Sequence, residues 1–316
     1  MKEIVNGADV VIHTAARLSA LDTKKDLAKC YEINVRGTEN VLDACLSEGV
    51  KRLVYMSSIE ALHTRNRPLV NADDDQPWPL KPFSNYSETK IVAEKAVIAA
   101  NGALGSKLRT AIVRPNMIIG ERDKLLVSMA LSKFPFLVVT SEAAVRDVTP
   151  VENVVHATLL CAHALGKDDC DDDNNGNGTT TTTTTTSDER KKGGGRRRSK
   201  KSKAEGQAFN IADGTPMNMT MMLEHVGERV GRKPIHIPSH LIKKAGFVGD
   251  MVRKVAAGIV PDYLSVMTMK NYDSVVWSKG EKIKKVLGYQ PIVTLDEAIS
   301  IYVELAKERK SANKKM

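Results

Sequence analysis

Apolar residues along this chain follow two rhythms, short unbroken runs and longer stretches at helical spacing, and the two alternate. Ala8-Asp9-Val10-Val11-Ile12-His13 is a short, mostly apolar run followed by small residues, as expected of a strand buried on both faces of a parallel sheet. A helical pattern continues through Ile33, Val35, Val41, Leu42 and Cys45 and stops near Gly49. Arg52-Leu53-Val54-Tyr55-Met56-Ser57 reads as the next strand. Arg109-Thr110-Ala111-Ile112-Val113-Arg114 reads as a third, terminated by Pro115. Between them a polar loop with Pro68, Pro77, Pro79 and Pro82 leads to a helix from about Ser84 to Ala100, punctuated by Gly102 and Gly105. Strands alternating with helices predict an α/β chain with a doubly wound parallel sheet.

Further along, Thr149-Pro150-Val151-Glu152 predicts a helix start. Thr149 would cap, Pro150 would take the first helical position, and Glu152 would complete a capping box, the helix running to about Leu165. Asp168 to Lys203 then holds an acidic cluster, a run of eight threonines (Thr179 to Thr186) and blocks of Gly and Arg/Lys. Such a segment buries too little apolar surface to offset chain entropy and is predicted to be disordered. Loop closure entropy grows slowly with length, so an exposed loop tolerates the insertion. Ala208-Phe209-Asn210-Ile211 resumes as a strand, which gives regions 1–166 and 206–316 around an insert at 167–205. Helical patterns follow near 219–230, 241–260 and 295–308. The middle one carries Leu241, Ala245, Val248, Val252, Val255 and Ile259 on one side, with Lys243, Lys244, Arg253 and Lys254 largely elsewhere. Such a helix either packs on its own domain or lies on a membrane surface or over an apolar pocket.

Composition narrows the class. The 316 residues suffice for one large α/β domain or a nucleotide domain with a smaller lobe. The net charge of +9 is unevenly placed, since the stretch from Lys167 to Lys203 alone contributes a surplus of three. The rest forms no basic stripe interleaved with aromatics, which argues against a nucleic-acid partner. The basic block Arg190 to Lys203 reads as a solvated linker, with a nuclear-import or phosphate-binding tail as the alternative. Cys30, Cys45, Cys161 and Cys170 show no CxxC spacing and no histidines at zinc-like intervals. No metal is therefore expected, and the first three sit in apolar helical patterns as small hydrophobes. The default compartment is reducing and intracellular. No apolar signal core opens the chain, and no stretch approaches the roughly 20 apolar residues of a membrane span.

The chemistry-bearing segment is Tyr86-Ser87-Glu88-Thr89-Lys90, at the start of a helix and downstream of a strand ending in Ser57-Ser58. Positions four apart share a helix face, so the Tyr86 hydroxyl and the Lys90 ammonium can enter one site. A nearby ammonium is expected to stabilise phenolate and lower the tyrosine pKa, making Tyr86 a general acid/base. A strand-end serine can hold the reacting oxygen in line. A Tyr-x-x-x-Lys match alone is weak. Its weight here comes from the order strand, Ser-Ser, Pro-rich loop, Tyr-x-x-x-Lys helix, strand ending in Arg-Pro.

The segments His13-Thr14-Ala15-Ala16, Asn34-Val35-Arg36-Gly37-Thr38, Tyr55-Met56-Ser57-Ser58-Ile59-Glu60, Tyr86 to Lys90, Ala93-Glu94-Lys95-Ala96-Val97 and Arg114-Pro115-Asn116-Met117-Ile118-Ile119-Gly120 resemble successive blocks of the extended short-chain dehydrogenases. Ser-Ser-Ile-Glu and Ala-Glu-Lys-Ala-Val-Ile-Ala-Ala-Asn-Gly are most similar to the 3β-hydroxysteroid dehydrogenase/isomerase branch, and the likeness covers most of the chain outside the insert.

The resemblance implies a Rossmann-like doubly wound sheet lacking its first three strands, with a smaller C-terminal substrate lobe at 206–316. It implies an NAD- or NADP-dependent oxidoreductase acting on the CH–OH group of a 3β-hydroxysteroid or sterol. Tyr86 would be the acid/base, Lys90 would bind the nicotinamide ribose, and Ser58, or failing that Ser57, would orient the substrate oxygen. Thr14, Ala15 and Ala16 would line the cofactor, Pro115, Asn116 and Met117 would lie beside the nicotinamide, and Asn34 would brace the fold. Cytoplasmic or endoplasmic-reticulum-associated placement, peripheral membrane contact through 241–260 and a homodimer are further expectations.

The family's Gly-x-x-Gly-x-x-Gly turn, which receives the cofactor pyrophosphate at a helix N-terminus, has no counterpart here. The sequence thus reads as a fragment or one with a misassigned start, expected to bind dinucleotide poorly, with Ala8–His13 an exposed apolar edge. Two other functions compete: a nucleotide-sugar epimerase or dehydratase, against which Ile59-Glu60-Ala61 argues, and a catalytically silent nucleotide-sensing scaffold, against which Tyr86 and Lys90 argue.

Overall fold

A computed structural model describes residues 1–18, 22–65, 67–121, 137–140, 144–166, 202–214, 216–229, 231, 234–255 and 274–312. Its centre is a four-stranded parallel sheet in the order β1 (Val10–His13), β2 (Arg52–Met56), β3 (Arg109–Pro115), β8 (Gln207–Ile211). Val10 pairs with Arg52, Arg52 with Arg109, and Ala111 with Gln207. Side chains alternate across this sheet, and both faces are apolar. Leu53, Tyr55, Ile112 and Ala208 face one layer, made by α3 (Gly37–Ser47) and α4 (Asn85–Ala100), whose Val41, Leu42, Cys45, Ala93, Val97 and Ala100 fill the interface. Val54, Ala111, Val113, Phe209 and Ile211 face the other layer. There Ala157, Cys161, Ala162 and Leu165 of and just beyond α5 (Val151–Ala164) pack, with Ile283 of α8 (Glu281–Leu287). Covered faces with parallel pairing make this the expected α/β doubly wound sheet.

The approach to α3 differs from a single continuous helix. After α1 (Lys2–Val5), β1 and a loop, α2 (Lys24–Cys30) runs into a π-helical turn, Tyr31–Arg36, before α3 begins. Thr23 caps α2, its hydroxyl accepting from the Asp26 N–H at 3.2 Å. α3 ends before Gly49, whose φ of +71° is a left-handed conformation that a side chain rarely adopts and that turns the chain into β2.

A smaller lobe is assembled from pieces far apart in sequence. β4 (Met117–Ile119) pairs in parallel with β7 (Val148–Pro150), β6 (Val145–Arg146) antiparallel with β9 (Met217–Asn218), and β5 (Leu137–Thr140) in parallel with β10 (Pro234–Ile237). Ile119 and Val148 share one core with Met222, Leu223 and Val226 of α6 (Met219–Arg229) and Ala298, Ile299, Tyr302 and Val303 of α9 (Leu295–Ala312).

Three expectations are corrected. The division at 166 and 206 is not a division in space, because β8 completes the main sheet while residues 117–119 and 145–150 belong to the small lobe. The end of the expected insert is structured: Ala204 is fully buried and the Ser202 hydroxyl donates to the Ala164 carbonyl at 2.6 Å. The remainder of that insert, 167–201, lies outside the described residues. Finally, Thr149 caps nothing. It pairs with Ile118 in the sheet, its buried hydroxyl has no partner among the described residues, Pro150 occupies the cap position, and Glu152 accepts from the Tyr302 hydroxyl instead. Pairing β7 with β4 extends the backbone that the capping box needed to turn.

α7 (Ser239–Val255) carries Leu241, Phe247, Val248, Met251 and Val252 exposed. Ile259 lies outside the described residues.

Candidate active site

α4 begins where the Ser84 hydroxyl accepts a hydrogen bond from the Ser87 N–H at 3.1 Å, an N-cap that fixes the helix start two residues before Tyr86. One turn on, Lys90 is 1% exposed. Its ammonium donates to the Met56 carbonyl at 2.8 Å and to the Tyr55 hydroxyl at 3.2 Å. It lies 4.8 Å from the Tyr55 ring centroid and 5.7 Å from that of Tyr86. Met56 ends β2, so the pair stands at the carboxyl end of a central strand, on one side of its helix. Ser58, two residues further, accepts from the Glu60 N–H at 3.2 Å, and its side chain holds the phenol of the half-buried Tyr86 down. The Ser57 N–H is taken by the Val113 carbonyl at 2.8 Å, and its buried hydroxyl has no partner among the described residues. Of the two serines, Ser58 is the one whose side chain acts on Tyr86.

The electrostatics depart from the sequence expectation. Burial raises the Tyr86 phenol above its ordinary value. Ser58 works against that rise, and the neighbouring Glu60 and Cys30 side chains add to it. Burial outweighs the Lys90 ammonium, which lies 5.7 Å from the Tyr86 ring centroid and spends two N–H groups on Tyr55 and Met56. Burial also brings Lys90 itself down to about 8, with Glu94 pulling the other way. At neutral pH both members of the pair hold their protons, Tyr86 as neutral phenol and Lys90 as ammonium.

The loop after β1 is held in place by Asn34, in the π-helical turn. Its amide donates to the Arg17 carbonyl and to the Thr89 hydroxyl, both at 3.0 Å, and accepts from the Arg17 N–H at 2.7 Å. Asn34 thus ties the stretch ending at Arg17 to α4, and Thr14, Ala15 and Ala16 are exposed at the carboxyl end of β1. Pro115 is buried at the end of β3, and Met117 packs against the small-lobe core. Asn116 donates to the Val276 carbonyl at 2.6 Å and accepts from Arg146 Nη1 at 3.3 Å. Tyr86, Lys90 and Ser58 come together directly, Thr14–Ala16 follow the end of the neighbouring strand β1, and Asn116 joins through Arg146.

Several members escaped the sequence reading. Arg146 Nη1 donates to Glu60 Oε1 at 3.1 Å, and His63 Nδ1 lies 3.0 Å from Glu60 Oε2. Burial alone would raise the Glu60 carboxyl, but His63 and Arg146 hold it below the usual range. A glutamate inside the apolar run Ile59-Glu60-Ala61-Leu62 was the available signal, because a buried carboxylate requires partners. His13 Nε2 lies 3.0 Å from the Thr38 hydroxyl, and its ring centroid is 5.4 Å from that of Tyr55. Burial, then the Lys90 charge, lowers His13 to about 4. Among the described residues no group of three or more His, Cys, Asp or Glu side chains could hold a metal ion, and no helix is long and apolar enough to cross a membrane.

Sheet order and helix layers of this kind define a Rossmann-like α/β protein. A short-chain dehydrogenase/reductase superfamily protein from Agrobacterium tumefaciens with bound NAD superposes with a TM-score of 0.62 at 17% identity, over 100% of this chain and 84% of its own. RMD from Pseudomonas aeruginosa, complexed with NADPH, gives 0.63 at 16% over 95% and 82%. The model of the 3-beta hydroxysteroid dehydrogenase/isomerase family matches residues 1–180, and the chain belongs to that family. It is similar to the 3beta-hydroxysteroid-dehydrogenase/decarboxylase isoform 1 of Arabidopsis thaliana, 30% identical over 97% of this chain and 64% of that protein. It is also similar to the human sterol-4-alpha-carboxylate 3-dehydrogenase, decarboxylating, 27% identical over 95% and 72%. The chain spans 64% and 47% of the lengths of the two Arabidopsis isoforms it matches.

Proposed function

We propose that this chain carries the proton-transfer site of an NAD- or NADP-dependent oxidoreductase acting on the CH–OH group of a 3β-hydroxysteroid or sterol. The carrying observation is Tyr86, Lys90 and Ser58 gathered at the carboxyl end of β2, the edge of an open α/β sheet where ligands bind. When bound, a nicotinamide supplies the hydride acceptor or donor, chemistry no side chain provides. The residues present suit its ribose half: Lys90 keeps an N–H with no partner among the described residues, and the small, exposed Thr14, Ala15 and Ala16 allow close approach. Pro115, Asn116 and Met117 complete the proposed lining. Ser58 orients the substrate oxygen, and Tyr86 takes or returns the hydroxyl proton, its neighbour Lys90 supplying positive charge. The relatives' names support a sterol as substrate, while a carboxylated sterol and a coupled decarboxylation belong to the same proposal. The exposed apolar stripe of α7 supports peripheral membrane contact through 241–260.

The test is NAD(P)⁺ reduction driven by a 3β-hydroxysteroid. Tyr86→Phe is expected to lower kcat about a hundredfold or more with cofactor affinity nearly unchanged. Turnover of the Phe variant at the wild-type rate would remove Tyr86 from the chemistry and the reading with it.

A further inference from the structure

Beside Lys90 lie buried hydroxyls that the proposed reaction does not use directly. Tyr55 is 1% exposed and its hydroxyl receives one Lys90 N–H at 3.2 Å. The Thr38 side chain lies beside the same hydroxyl and holds its phenol down against burial. Thr38, also 1% exposed, donates its only proton to the Asn34 carbonyl at 2.7 Å. The direction of every other bond follows. With its proton committed, the Thr38 oxygen can only accept, so Tyr55 O–H donates to it and His13 donates through Nε2–H. Tyr55 then has lone pairs free for Lys90 alone. The donors run one way, from Lys90 to Tyr55 to Thr38 to the backbone of the π-helical turn.

We infer that Tyr55 is a positioning residue whose hydroxyl, oriented by Thr38, fixes the Lys90 ammonium and keeps it charged for Tyr86. This rests on the reading of Lys90 as Tyr86's partner. The charged and titratable groups facing Lys90 are Tyr86 and Glu94 on its own helix, Tyr55 on β2 and His13 on β1. His13, lowered by burial, stays neutral at working pH and adds no competing charge. An acceptor hydrogen bond favours the charged form of an amine, so its loss must lower the amine's pKa.

The experiment follows Lys90 in the full chain labelled with 13Cε-lysine, its resonance assigned by disappearance in Lys90→Arg. The wild-type midpoint is expected near pH 8. Tyr55→Phe keeps the ring and removes the hydroxyl, and is expected to lower the midpoint by about one unit, the size of a hydrogen bond to a charged group. Thr38→Val should shift it the same way by less, and Thr38→Ser should restore the wild-type value. An unmoved midpoint in Tyr55→Phe, or Thr38→Ser shifting as far as Thr38→Val, overturns the inference. Should Tyr55→Phe fail to fold, the Thr38 pair decides. In the steroid assay, the alkaline limb of kcat/KM should move to lower pH in Tyr55→Phe with the same displacement. If the Lys90 midpoint moves as expected while the wild-type chain oxidises no steroid alcohol, the dehydrogenase reading fails and the role of Tyr55 stands.

Discussion

Lys90 and Glu94 sit one turn apart on α4, both buried, and they meet opposite fates. Glu94, 0% exposed, receives Arg114 Nε on one oxygen at 2.7 Å, and Arg114 Nη2 at 2.8 Å and the Trp78 indole N–H at 2.7 Å on the other. Arg114 spends Nη1 on the Asp74 carbonyl at 2.8 Å. Every strong group in that cluster is matched, with the forked geometry that suits a guanidinium to a carboxylate. Lys90 has only neutral acceptors within hydrogen-bonding distance and no carboxylate against it, and burial lowers its pKa. The matched charge holds α4 to β3 and the Pro-rich loop. The unmatched one is a reactive group whose proton is easily given up, which is what a proton-transfer site requires.

The contrast breaks most severely at Arg114. Arg114→Met leaves Glu94 buried without a counter-charge and is expected to cost about 3–5 kcal/mol in urea denaturation. The double variant Arg114→Met/Glu94→Leu should regain much of that loss. A single-variant cost of only a few tenths of a kcal/mol would mean that Glu94 is not held as described. Lys90 responds to pH instead. Its folded pKa, about 8, lies below the ordinary value of 10.5. Between those values the unfolded chain binds the extra proton, so stability rises as pH increases from about 8 to 10.5, and the penalty is fully present below pH 8. Comparing wild type with Lys90→Met at both ends cancels the other titrating groups. The wild type is expected to gain of order 3 kcal/mol more across that window. Equal slopes would show Lys90 to be solvated.

How much of this was legible depends on how local the cause is. The strands and the Tyr86–Lys90 pairing follow from periodicity: Leu53 and Tyr55 on one face, Val54 on the other, and four residues to a shared helical side. Family likeness carried Ser58 and Asn34. Tyr55, Arg146 and the coupling of His13 to Thr38 were not legible, because their partners lie 25 or more residues away and only the packed sheet brings them together. The expected acidification of Tyr86 failed for the related reason that spacing places two side chains on one face but says nothing of where their polar ends point. The boundary drawn at 206 failed because β8, which follows it, pairs with β3 in the main sheet.

Thr149 offers the smallest and most local test of the same contrast, a buried polar atom with neither charge nor partner. The Thr-Pro-x-Glu pattern is a strong local signal for a capped helix, yet β7 pairs with β4 and turns the threonine into a strand residue with a 0% exposed side chain. Its hydroxyl lost water on folding and gained nothing among the described residues. Valine has the same branched shape, suits a strand, and carries no group to desolvate. Thr149→Val is therefore expected to be neutral or to stabilise by up to about 1 kcal/mol, whereas a real cap would cost about 1 kcal/mol when its oxygen is removed. The sign of the change in the urea midpoint separates the two: a fall would restore the helix cap read from sequence, and a level or rising midpoint keeps Thr149 in the sheet.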